Sequence, residues 1–205
     1  VEALPPIAQR GTVERLAGFV WGFLGWDDRA DPPRLKHCSH MLGVHPAFRN
    51  RGFGEALKRF QFEHVQRQGL RLITWTYDPL LARNAQLNIA RLGAVCNTYL
   101  RDAYGRLGDE LNAGLITDRF QVDWWIDAPA ARPAGEPDTV RYEIPEDLLA
   151  LKRADPARAL AWRLESREMF ETLFAAGYTV TGFERGAGRA AYILQRARDT
   201  SPHAY

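Results

Sequence analysis

Cysteine is scarce: the chain has only two, Cys38 and Cys96. That is too few for a disulfide framework and fits a reducing compartment. An excess of one charge is also missing. Twenty-seven Lys and Arg against 25 Asp and Glu leave a net charge of +2, which argues against nucleic acid as a main partner. No apolar run reaches the roughly 20 residues that span a bilayer, and no signal-peptide pattern opens the sequence. His37, His45 and His64 have no metal-ligand spacing with cysteine or acid, so no metal is expected. These absences predict a soluble, cytoplasmic protein with neither a membrane nor a nucleic-acid partner. What is present is ordinary for a globular protein: 46% hydrophobic and 25% charged residues in 205, enough for one domain with an extension.

Read in order, Leu16 to Leu24 is apolar and predicts a buried strand. Together with a short strand near Ile7 that turns at Gly11, it makes residues 1–25 a hairpin. A strand from Leu35 to Val44 follows, then a helix after Gly52. Phe53, Ala56, Leu57, Phe60 and His64 recur at helical spacing and are expected to face inward, with Gly69 past the helix end. Leu70–Tyr77 reads as a strand parallel to the previous one, since a helix separates them. A second helix over Ala82–Leu92 stops at Gly93. Strands at Ala94–Tyr99 and Arg119–Ile126 are expected to pair as a long-looped hairpin. Residues 128–139 form a Pro-rich linker. Beyond it, 140–205 predict a strand at Val140–Ile144, a helix started by Pro145, a helix over Pro156–Ala176, and a hairpin of Val180–Phe183 with Ala191–Leu194. On the long helix, Leu160, Leu164, Phe170, Leu173 and Phe174 are expected to pack inward with the arginines outside.

The chain is organised around Ser39–Lys58. A strand halts at Pro46, a basic loop carrying Arg49, Arg51, Gly52 and Gly54 follows, and a helix starts. Free N–H groups and a positive helix end make such a junction an anion site, and the arginines suit a phosphate. It is not a dinucleotide fingerprint, because Leu57 stands where a third glycine belongs. Nor is it a P-loop, because Glu55-Ala56 follow the second glycine. A tight strand-to-helix turn is the competing explanation.

The fuller pattern is Val44, then Arg49-x-x-Gly52-x-Gly54, set between a hairpin and a parallel strand, with a second helix ending at Leu92-Gly93. It resembles the acyl-CoA pyrophosphate loop of the GNAT superfamily of N-acyltransferases, over about residues 7–127. A subgroup of uncharacterised members is similar in Ser39-His40-Met41-Leu42, Trp75-Thr76-x-Asp78-Pro79-Leu80, Asn84-Ala85-x-x-Asn88 and Leu92-Gly93-Ala94. The similarity continues through Ile144-Pro145 and Trp162-Arg163. The resemblance implies an α/β (α+β) GNAT-like fold. Its sheet is mixed and mostly antiparallel, with a central splayed parallel pair, flanking helices and a C-terminal α/β extension. It divides the chain into a core over 1–127, incomplete at its N-terminal end, a linker over 128–139, and an extension over 140–205. That extension is expected to cover the acceptor end of the site or to make the contact of a homodimer.

The resemblance also implies residue roles. The pantetheine arm of acetyl-CoA or another acyl-CoA would pair with Leu42, Gly43 and Val44. Its pyrophosphate would lie on Arg49, Asn50, Arg51, Gly52, Phe53 and Gly54, with Asn84 and Asn88 contacting the arm. An amine attacks the thioester directly, and the N–H of Val44 or a neighbour stabilises the oxyanion. Family members often place a thiol-protonating tyrosine four residues before the helix-ending glycine; here that place holds Ile89. Asn88 beside it can hydrogen-bond but cannot act as an acid. Tyr99, Tyr104 or water stand in. His40 is the first choice of base, with Tyr77 and Asp78 next. The bland alternatives are a buried structural histidine for His40, turn chemistry for Asp78, and a helix cap for Asn84. Trp75 and Trp124 either wall the acceptor pocket or belong to the core, and Asp118-Arg119 is a local ion pair or Arg119 holds an acceptor carboxylate. His40, Trp75, Tyr77 and Asp78 are thus the expected acceptor-side residues. The expected function is transfer of an acyl group, acetyl or one such as succinyl, from acyl-CoA to a small-molecule amine such as an amino acid. The alternative is an acyl-CoA-binding sensor or interaction module with little or no catalysis.

Overall fold

The computed structural model describes residues 16–105, 116–127, 137–186 and 188–196. The strand near Ile7, its turn at Gly11 and most of the linker lie outside these residues. The elements run β1 (Gly18–Asp27), β2 (Arg34–Val44), a 3-10 turn (Pro46–Phe48), α1 (Phe53–Arg67), β3 (Leu72–Tyr77) and α2 (Ala82–Ala85). A π turn (Gln86–Arg91) continues α2. Then come β4 (Val95–Leu100), β5 (Arg119–Trp125), β6 (Asp138–Ile144), α3 (Leu148–Ala154), α4 (Pro156–Ala175), β7 (Thr179–Gly186) and β8 (Arg189–Arg196). The strands form one mixed sheet in the order β1-β2-β3-β5-β4-β7-β8-β6. Only β2 and β3 pair in parallel; the other pairs are antiparallel. β7 joins β4 at Cys96 and Val180, so the strands of 140–205 extend the sheet of the core. The expected mixed α/β architecture, its parallel pair and the β4–β5 hairpin are present. No helix among the described residues is long and apolar enough to cross a membrane.

Three expectations about burial need correction. Among the described residues β1 stands at the end of the sheet and pairs with β2; its expected partner before Gly11 lies outside them. Phe19, Trp21, Phe23 and Trp26 are exposed, so the strand is not buried as its apolar run suggested. On α1 the predicted face is rotated: Phe60 and His64 are exposed, while Lys58, Gln61 and Val65 are buried. Apolar spacing misplaced the inward stripe because two of its members are polar and pair with polar groups of the sheet. On α4, Leu160 and Leu164 are exposed, and the inward residues are Ala159, Arg163, Ser166 and Phe170. The arginines are therefore not all outside.

Helix ends follow local rules. Gly69, Gly93 and Gly177 take positive φ just past their helices, as expected of C′ glycines. α3 starts at Leu148, later than Pro145, because Asp147 caps it by accepting from the Ala150 N–H. Asp155 caps α4 in the same way, with Pro156 at the first helical position.

The helices crowd one face. Phe62 of α1 packs on Trp124, and Phe170 of α4 packs on Phe120, ring centroids 4.7 Å apart in both pairs. Phe120, Val122 and Trp124 alternate along β5 onto that face. Phe120, Phe170 and Tyr192 sit in one buried cluster that spans the core and the residues beyond 140. Two polar ties reinforce the junction. Arg163, wholly buried, donates from Nη2 to Asp78 Oδ2 at 2.5 Å, while its Nε and Nη1 find no partner among the described residues. Asp118, also wholly buried, takes both Arg167 Nη2 and Nε, the Tyr99 hydroxyl and the Asp102 N–H. Removing one member of a buried pair leaves its partner's charge uncompensated, which costs about 3–5 kcal/mol. Asp78→Ala should lose stability of that order in urea unfolding, and Asp78→Ala with Arg163→Met should recover part of it.

Candidate functional site: the parting of two strands

β2 and β3 pair at only two positions, His37 with Ile73 and Cys38 with Thr74. Beyond them the strands part. Residues 39–44 keep β1 on one side, with Val20 opposite Leu42 and Gly18 opposite Val44, and on the other have no strand partner among the described residues. Backbone groups on that free edge are available to a ligand that pairs as a strand. A Cβ at Gly43 would stand 2.6 Å from the Phe19 ring, so a side chain there would displace that exposed ring.

The loop above the parting is tightly turned. His45 Nδ1 accepts from the Ala47 N–H at 3.2 Å and caps the Pro46–Phe48 turn. Phe48 packs edge-on against His45 and Phe53. Asn50 and Gly52 have positive φ (61° and 83°), and a Cβ at Gly52 would meet nothing within 4 Å. No side chain caps the α1 N-terminus, so its first N–H groups stay open to an anion. Arg49 donates from Nε to the Val44 carbonyl at 3.2 Å, which ties the loop to the end of β2; Arg51 is exposed. A Cβ at Gly54 would contact Leu42 and Leu87, at 3.8 and 3.9 Å. β2, α1 and the second helix therefore meet there.

A polar cluster that apolar spacing did not reveal lies where the strands part, on the helical face. Lys58 is 2% exposed. Its Nζ donates to Ser39 Oγ at 2.8 Å and to Gln61 Oε1 at 3.4 Å, and it lies 3.5 Å from the centroid of the Trp75 ring. Gln61 Nε2 is 3.1 Å from His37 Nε2. Trp75 donates from Nε1 to Asn88 Oδ1 at 3.2 Å. Burial pulls the Lys58 amine down to about 7. Burial, then the neighbouring Lys58, holds the His37 imidazole below its usual value. The sequence carried one signal for this cluster: a lysine in helical register with a glycine turn, on a helix whose other inward positions were assigned by apolar spacing.

His40 lies on the opposite face. The β1 register steps from Trp21–Met41 to Gly22–Ser39, so His40 is the extra residue of a bulge. It is exposed, with its ring 5.3 Å from Trp21 and 5.7 Å from Phe23. It is not the buried structural histidine of the alternative reading. Tyr104 reaches β3 past the parting, its hydroxyl 2.5 Å from Thr76 Oγ1, and the Arg119 guanidinium lies 5.2 Å from the Tyr104 ring centroid.

Other expected site residues are placed elsewhere. Tyr77 is buried in the core with its hydroxyl 3.1 Å from that of Tyr192, and burial raises its pKa far above the usual value. It cannot serve as a base at neutral pH. Asp78 is a turn residue, accepting from the Leu80 N–H at 2.9 Å, and the anion of Arg163. Tyr99 is bound to Asp118 and raised by burial, which removes it as a thiol acid. Asp118 pairs with Arg167, not Arg119; Arg119 donates to the Asp118 carbonyl and stands 3.9 Å from Asp78. Asn84 caps nothing, since the cap position is Leu81, and it is exposed while Asn88 is buried. The π turn over 86–91 breaks the single face expected of them. Trp124 belongs to the core. Ile89 is buried at the place of the expected tyrosine.

Residues 4–93 match the family described as the Acetyltransferase (GNAT) family. Over that segment, less than half of its length, the chain is similar to GNAT acetyltransferases. Nothing among curated proteins matches it significantly. Two solved structures are similar at 18% identity. One is the NatC complex bound to Gag peptide and CoA, with a TM-score of 0.45, over 58% of this chain and 66% of that one. The other is Arabidopsis thaliana NAA60 in complex with a bisubstrate analogue, with a TM-score of 0.46, over 57% of this chain and 69% of that one. This chain thus spans about two thirds of each.

Lys58 is a titration probe for the parting of β2 and β3. Its folded pKa is depressed, so from pH 7 to 10.5 the unfolded chain holds the extra proton and stability rises with pH. At pH 7 and below the full penalty applies, a few kcal/mol at about 1.4 kcal/mol per unit. Lys58→Met should raise the melting temperature at pH 7 and flatten the stability gain between pH 7 and 10.

Proposed function

We propose that the protein transfers an acyl group from acyl-CoA to the amine of a small molecule by direct attack on the thioester. The observation that carries this reading is the free edge of β2 beneath an uncapped α1 N-terminus. Loop N–H groups from Arg49 to Gly54 receive the pyrophosphate, with Arg51 and a released Arg49 adding charge. Leu42 to Val44 hold the pantetheine arm in strand register. The Val44 N–H, or a neighbour, steadies the oxyanion. His40 takes the proton of the attacking amine from the opposite face, where Tyr104 and Arg119 also lie. The thiol needs no strong acid, because a CoA thiolate is a good leaving group; Tyr104, whose hydroxyl meets Thr76 beside the parting, is the candidate to supply a proton.

The acyl-CoA sensor is the competing reading, since the loop, the free β2 edge and the arginines serve binding alone. Its discriminator is turnover. Calorimetry with acetyl-CoA tests the shared claim, and no binding at millimolar concentration ends both readings. Thiol release on adding an amine panel, with amino acids and a peptide N-terminus included, then separates enzyme from sensor. His40→Ala should lower kcat about 10²- to 10⁴-fold if the histidine is the base, with acetyl-CoA affinity little changed. An unchanged kcat removes His40 from the mechanism.

A further inference from the structure

Lys58 is enclosed by neutral groups. Ser39 and Gln61 accept from it, the Trp75 indole lies under it, and Asn88 holds that indole from the second helix. No described carboxylate lies within ion-pair distance of it. A buried cation with only neutral partners is expensive, and the penalty disappears when an anion arrives. The place matters as much as the charge. Ser39 and Trp75 are the first residues past the last β2–β3 pair, so the amine stands at the apex of the wedge. On the reading above, the donor's arm enters at the 45–54 loop and descends past Val44 and Leu42. With the thioester held near Val44, an acyl chain that extends beyond it runs along the β2 edge toward Ser39 and Lys58. An apolar acyl tail gains nothing from an ammonium group, whereas a carboxylate gains a charge-assisted hydrogen bond in a site from which water is excluded.

We propose that Lys58 selects acyl donors whose short acyl chain ends in a carboxylate, of which succinyl-CoA is the simplest probe. This rests on the acyl-CoA reading and narrows it. The free amine is largely neutral above pH 7, and an entering carboxylate favours its charged form, so donor binding draws a proton onto Lys58. Of the groups packed around it, His37 on β2 is titratable and held neutral; Gln61 of α1, Trp75 of β3 and Asn88 of the second helix are not titratable.

The experiment is calorimetry at pH 8 with stable dethia analogues of acetyl-CoA and succinyl-CoA, in two buffers of different ionisation enthalpy. The succinyl analogue should bind at least tenfold more tightly, with uptake of close to one proton that the acetyl analogue does not show. Lys58→Met should lose both the preference and the uptake while melting at or above the wild-type temperature. Equal binding of the two analogues without differential uptake overturns the proposal and leaves the donor reading standing. A preference that survives Lys58→Met also overturns it. If neither analogue binds, the donor reading itself fails. Should the variant not fold, the wild-type comparison with its proton count still decides.

Discussion

Two parallel pairs, and no more, join β2 to β3. The proposed acyl-CoA site depends on that early parting. A strand pair that continued would satisfy its own backbone and leave nothing for a ligand. By stopping after Cys38 and Thr74, the sheet opens a wedge with an unpaired β2 edge on one wall and Trp75 and Thr76 on the other. The loop from His45 to Gly54 closes the wide end with open N–H groups. The two faces of the wedge differ: the helical face carries Lys58, Gln61 and Asn88, and the other carries His40, Tyr104 and Arg119. A donor lying in the gap would meet one set and its acceptor the other.

The interior beneath the wedge is polar where a core is ordinarily apolar. Lys58, Ser39, Gln61 and His37 form a hydrogen-bonded chain between α1 and β2. Each member is buried, and the lysine carries a desolvation penalty that packing elsewhere has to offset. Gly22 belongs to the same arrangement, since a Cβ there would lie 2.3 Å from His37 Nε2. A cluster that costs stability and touches the site is where a functional demand on the sequence is expected.

The residues beyond 140 join the core through apolar and ionic contacts together. Phe170 and Tyr192 enclose Phe120, Arg163 reaches Asp78 at the carboxyl end of β3, and Arg167 reaches Asp118. Both carboxylates flank the parting strand and its antiparallel neighbour β5. The C-terminal segment therefore holds the chain that follows β3 in place. That placement leaves Asp78 to structure, although its strand-end position had suggested acceptor chemistry.

The amino-acid order specified the succession of elements, the strand–loop–helix junction, the parallel pair, and the turn glycines Gly52, Gly69 and Gly93. These follow from local rules: strand alternation, positive φ that glycine adopts without strain, and crossover length. It did not determine which side chains face inward on α1 and α4. Lys58 and Arg163 are buried because partners distant in sequence, Ser39 and Asp78, receive them, and no spacing rule records such a partner. Only the tertiary structure decided that Tyr77 and Tyr99 are spoken for, that a bulge turns His40 to the exposed face, and that a π turn separates Asn84 from Asn88. Each of these depends on contacts across the sheet, where a side chain's role is set by what packs against it rather than by its neighbours in the chain.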